Sequence, residues 1–218
     1  MQENILAEAM QLYKVLLDKH ARKNNCNVTF LSQHSVLWGI QSQQSHQGLS
    51  LHSNMGVCAG LAIEWIKATA KGTDFMAAMG RARNEVFTQG KSQGFSTGVT
   101  QLLDDVDDSH SEQNNISKAF PGGSGKETVS LYPFKGAAKA FSPDNYYYIS
   151  SGTHAVAAYC SGSKIDFYDP NVGLVKGASK KLVEEYMSEA VIKTHQLILN
   201  NQSPDLSKKS LTITHAKP

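Results

Sequence analysis

Three residues of this 218-residue chain, Cys58, His154 and Asp169, could together open an amide bond. In such chemistry a thiolate attacks the carbonyl carbon, an imidazole takes and returns the proton, and a carboxylate fixes which imidazole nitrogen carries it. Cys58 stands in NMGVCAGLAIEW, residues 54–65, where a polar approach gives way to an apolar helical pattern. Leu61, Ala62 and Trp65 follow it at offsets of three, four and seven, so the thiol falls in the first turn of a helix, above a buried face. There the positive end of the macrodipole favours thiolate, and a nearby imidazolium would favour it further. The small neighbours Gly56, Ala59 and Gly60 would let a substrate backbone approach the sulfur. Cys26 and Cys160 have no such setting and read as structural.

The second half of the constellation can be built from one turn. In HAVAAYCSGSKIDFYDPNVG, residues 154–173, Gly162-Ser163 is a two-residue hairpin signal with glycine first, as a type II′ turn requires. It pairs Ser161 with Lys164, Cys160 with Ile165, Ala158 with Phe167 and Val156 with Asp169. His154 then shares a face with Asp169 across a diagonal of roughly 7–8 Å, which an imidazole and a carboxylate can close to a hydrogen bond. Val156, Ala158, Ile165 and Phe167 make that face the core-facing one, with Tyr159, Asp166 and Tyr168 on the other. A carboxylate there needs a partner, because an unpaired buried charge is costly.

Around these residues the periodicity predicts a helix over residues 1–25, short strands in VTFLS and SVLWGIQSQ, and helices over about 56–70, 73–87 and 96–106. A Ser, Asn, Gly and Pro-rich flexible loop is expected over 108–127, and after it strands in ETVSLYPF, NYYYIS, HAVAAYC and KIDFYD before a closing helix, SKKLVEEYMSEAVIKTHQLIL. Helices first and a sheet second predict an α+β fold, with residues 1–218 as a single catalytic domain. Trp38 and Trp65 read as core anchors.

Composition closes off several other functions. With 40% hydrophobic and 18% charged residues and a formal charge of +2, the chain is an ordinary globular protein with no electrostatic call for nucleic acid. Three widely spaced cysteines do not form a disulfide framework, and no apolar run is long enough to span a membrane. The first residues lack the basic-then-apolar order of a cleaved signal peptide, and the chain begins Met-Gln, without the Met-Gly of an acylated protein. PGGSGKET fails as a phosphate loop, having Phe120 where a glycine is needed and Glu127 after Lys126, and reads as linker. No cysteine or histidine pair has metal-ligand spacing, so neither metal nor cofactor is expected. The acidic run DDVDD, residues 104–108, reads as a solvated helix end.

The boxes around these three residues resemble a known family. GVCAGLAIEW is similar to the Gly-x-Cys-x-Gly-Leu box of the YopT/AvrPphB-type bacterial effector cysteine proteases of peptidase family C58. HAVAA and FYDPNVG resemble that family's His strand and Asp-Pro-Asn-x-Gly turn, and the resemblance covers about residues 54–173. It implies a papain-like fold, a Cys58-His154-Asp169 triad, and secretion by a bacterium into the host cell cytoplasm to cleave a host protein, of the small GTPase or kinase class. Residues 1–25 lie outside the resemblance and are open to three readings: an accessory or secretion-related segment, a site for a secretion chaperone, or simply part of the fold. The family's oxyanion donor is a polar side chain just before the cysteine; His52, Ser53 and Asn54 all stand there, and Asn54 is favoured. A glutamine deamidase or transglutaminase using the same triad, or an inactive binding protein of the same fold, are the alternatives.

Overall fold

In the computed structural model, residues 2–33, 57–88, 96–112, 116–120, 122, 124–130, 141–151, 154–198 and 210–218 are described. The hairpin that organises the sheet has the expected register. Strand β4 (Ala155–Ser161) pairs antiparallel with β5 (Lys164–Asp169), with Ser161 opposite Lys164, Cys160 opposite Ile165 and Ala158 opposite Phe167. Gly162 takes the left-handed conformation at the turn, φ 59°. β3 (Asn145–Ser150), a run of β-favouring tyrosines, lies on the other side of β4.

Four further strands complete a seven-stranded sheet in which every pairing is antiparallel. They are β1 (Asn27–Phe30), β2 (Ser124–Ser130), β6 (Gly173–Ala178) and β7 (Ser210–Ala216), and the order is β1-β6-β5-β4-β3-β7-β2. The expected strand in ETVSLYPF is met by β2 as far as Ser130, while β6 and β7 are strands the sequence reading did not identify. β2 also corrects the reading of PGGSGKET as linker: from Ser124 onward the segment pairs with β7. SVLWGIQSQ, with Trp38, lies outside the described residues.

Helices cover both faces. α1 (Gln2–Lys23) ends where Asn25 turns left-handed at φ 52° and the Cys26 amide reaches back to the Ala21 carbonyl, an arrangement of the Schellman type. α2 (Cys58–Ala70), α3 (Phe75–Thr88) and α4 (Thr97–Ser111) follow, then one turn, α5 (Ile116–Ala119), and finally α6 (Lys180–Ile198). Asp74 caps α3 by accepting the Ala77 amide, and Ser179 caps α6 by accepting that of Leu182. The loop expected over 108–127 is therefore cut from both ends, by α4 continuing to Ser111 and by α5 and β2.

Two cores result, one on each side of the sheet. Leu61, Trp65 and Ile66 of α2, with Leu103 and Val106 of α4, meet Tyr148, Ala157 and Tyr168. Leu16 and Leu17 of α1, with Leu182, Val183 and Tyr186 of α6, meet Val156, Ala158, Ile165 and Phe167. The sheet thus has no outward side at its centre, which corrects the placement of Tyr168 on an outer face. That tyrosine is fully buried, stacked on Trp65 at 5.8 Å and met edge-on by Phe75 at 5.6 Å.

Candidate active site

Cys58 is the first residue of α2. The preceding carbonyl, on Val57, accepts the Leu61 amide and opens the helix, so the thiol sits where the free amides concentrate positive potential. His154 lies one residue before β4. Ser151 holds it there: the His154 amide donates to the Ser151 hydroxyl at 3.2 Å, and the Ser151 amide donates to the His154 carbonyl at 2.9 Å. Asp169 is the last residue of β5 and is completely buried.

The three side chains meet. His154 Nε2 lies 2.9 Å from Asp169 Oδ1, and Cys58 and His154 are hydrogen-bonded to each other. An ionised carboxylate only accepts, so Nε2 carries its proton and Nδ1 is left to exchange one with the thiol. Asn171 Nδ2 lies 3.5 Å from that same Nδ1.

The electrostatics separate Cys58 from the other two cysteines. Burial raises the Cys58 thiol, but the hydrogen bond and charge of His154, with a bond from the Ala155 backbone, outweigh burial and the opposing charge of Asp169; the thiol ends below its ordinary value. Burial alone would lower His154. The charge and hydrogen bond of Asp169, with those of Cys58, instead push it up to about 10. Cys160 is pushed up to about 11, and Cys26 is also raised, both mainly by burial. All three thiols are free.

Some residues that build this site were not singled out in the sequence. After β1 the chain continues along the Asp169 turn, the Leu31 amide donating to the Val172 carbonyl at 2.9 Å and the Gln33 amide to that of Pro170 at 2.6 Å. This approach needs Gly173, since a β-carbon there would stand 2.0 Å from the Thr29 carbonyl oxygen. It delivers Gln33, buried at 2% exposure, between the two halves of the site. Gln33 Oε1 accepts the Val57 amide at 3.1 Å and its Nε2 donates to Asn171 Oδ1 at 2.6 Å. The Asn171 amide in turn donates to Asp169 Oδ1 at 2.8 Å, and the Tyr186 hydroxyl donates to Asp169 Oδ2 at 2.5 Å.

Gly60 has a different use from the one its position suggested. A β-carbon on it would fall 2.1 Å from the Val106 carbonyl oxygen, so its smallness serves the close crossing of α2 and α4. Ala59 is likewise buried. The oxyanion candidates His52, Ser53 and Asn54, with Gly56, lie outside the described residues.

The fold is that of a cysteine-protease-like domain. The chain aligns with PatoxP, a cysteine protease-like domain of the Photorhabdus asymbiotica toxin PaTox, at TM-score 0.54 and 14% identity, over 97% of this chain and 59% of that one. It also matches the Pseudomonas avirulence protein AvrPphB at TM-score 0.44 and 19% identity, over 77% of this chain and 93% of that one. Residues 145–208, which include His154 and Asp169, match the Peptidase C58 family model, described as Yersinia/Haemophilus virulence surface antigen. That family match bears out the resemblance to the YopT/AvrPphB type over residues 145–208. A comparison with curated protein sequences returns no match.

Proposed function

We propose that the chain is a cysteine endopeptidase that cleaves a specific host protein through an acyl-enzyme on Cys58, delivered by a bacterium as a virulence effector. The observation that carries this reading is the hydrogen-bonded line from Cys58 through His154 to Asp169, with the thiol held below its ordinary value at a helix start. The likeness of residues 145–208 to a virulence family supports the bacterial and host setting.

The chemistry follows the geometry. The Cys58 sulfur attacks the amide carbon as thiolate, and the developing oxyanion is met by the Cys58 amide at the helix start, with Asn54 as the expected side-chain donor. Protonated His154 gives its Nδ1 proton to the departing amine, leaving a thioester. Water then gives a proton to the same nitrogen as it attacks, and the thiolate leaves. Throughout, Asp169 keeps the ring in one tautomer and stabilises its charged form.

The test is to incubate the protein, and a Cys58→Ala control, with eukaryotic cell lysate and search by mass spectrometry for new peptide N-termini. Cleavage that requires Cys58 is the expected result and would name the substrate. Glutamine-to-glutamate conversion without cleavage would contradict it and assign the thiol to side-chain amides.

A further inference from the structure

Asp169 is fully buried at the end of β5, and its two oxygens are served differently. Oδ1 receives His154 Nε2 and the Asn171 backbone amide, whereas Oδ2 accepts from the Tyr186 hydroxyl on α6. Tyr186 is itself fully buried, in the core on the opposite side of the sheet from α2. Its ring is set edge-on against Phe167 at 5.5 Å, two residues before Asp169 on the same strand. A rigid ring thus aims one hydroxyl at the one carboxylate oxygen that faces away from the histidine.

We propose that Tyr186 is a positioning residue for the site, holding Asp169 oriented so that Oδ1 stays presented to His154. The proposal rests on the reading of Cys58, His154 and Asp169 as a working triad. A buried carboxylate that loses a donor is free to turn, and turning weakens the support it gives the imidazolium. The thiolate beside that imidazolium weakens with it. The charged and titratable groups that act at this point are His154 before β4, Cys58 on α2 and Tyr168 on β5. Of the acids on α6, Glu184, Glu185 and Glu189, the last two are engaged by His20 of α1.

The test is the rate of Cys58 alkylation by iodoacetamide against pH in wild type, Tyr186→Phe, Tyr147→Phe and His154→Ala. Tyr186→Phe keeps the ring and its contact with Phe167 and removes only the hydroxyl. Tyr147→Phe is the matched control, because Tyr147 is also buried but its hydroxyl accepts the Ser142 amide instead of serving Asp169. The expected result is a fall of about fivefold to tenfold near neutral pH in Tyr186→Phe, with the ionisation limb of Cys58 moved to higher pH and Tyr147→Phe unchanged. A Tyr186→Phe profile equal to or faster than wild type, whatever its effect on melting temperature, would overturn the proposal and leave the hydroxyl a plain core hydrogen bond. If the wild-type rate is slow and His154→Ala does not change it, the triad reading itself fails and takes this proposal with it.

Discussion

The opposite shifts of Cys58 and His154 fix how their coupling feeds into stability. Unfolded, the imidazole gives up its proton near 6.5 and the thiol near 9.0. Folded, the imidazolium persists to about 10 and the thiol ionises below its ordinary value. From about 6.5 to 9 the unfolded pair keeps only the thiol proton while the folded pair keeps the imidazolium proton, so the two shifts act on stability in opposite senses there. Above that window the unfolded state binds none and the folded state one, so stability falls as pH rises. Urea denaturation of wild type and of the Cys58→Ala/His154→Ala double variant at about pH 7.5 and 10 should show a difference smaller by about 1 kcal/mol at the higher pH. A difference independent of pH would mean that the pair is not ionised as described. At this scale the reactive residues were legible, because a helix start and a hairpin register are local facts. Gln33 was not, since it meets its partners only after the chain has folded back on itself, and Tyr186 falls on the apolar stripe of α6, where it reads as one more core aromatic.

The elements that carry the site come from three parts of the chain, and Gln33 ties them. It links β1, the peptide that opens α2 and the turn after β5 through a single buried amide. Gln33→Met keeps the volume but leaves the Val57 amide and Asn171 Oδ1 without that partner. The expected cost is about 2 kcal/mol in urea denaturation, with slower alkylation of Cys58 as α2 loses its anchor beside His154. Unchanged stability, within about 0.5 kcal/mol, would show that the bridge is dispensable. The β4–β5 hairpin and β3 could be read to the residue, since a two-residue turn dictates its own register and β3 is a clean run of strand formers. β6 was hidden by Gly173 and Gly177, which read as loop punctuation although both sit in a strand next to its neighbours. β7, SLTITHA, alternates as a strand should, but its partners β2 and β3 lie far upstream and no local turn announces the pairing.

For the molecule as a whole, burial on both faces of the sheet is what the linear pattern concealed. An antiparallel sheet with one wet face alternates cleanly. Here Ala157 and Tyr168 are as buried as Ala158 and Phe167, because α2 to α4 close one side and α1 with α6 the other. The α+β class follows from either picture, but only the three-layer one explains how a helix on one face and a tyrosine on the other can both reach the end of β5. α1 belongs to this architecture: Leu16 and Leu17 are in the core, and the buried His20 engages Glu185 at 3.2 Å and Glu189 at 3.5 Å on α6. The purpose of the whole arrangement, on this account, is one thiol of three made reactive. The most direct measurement is therefore the carboxamidomethylation rate of each cysteine in the intact protein at neutral pH, read by peptide mass spectrometry in wild type and His154→Ala. Cys58 is expected to react at least about tenfold faster than Cys26 and Cys160, and His154→Ala to remove that advantage. Equal, slow rates at all three cysteines, unchanged by His154→Ala, would contradict it.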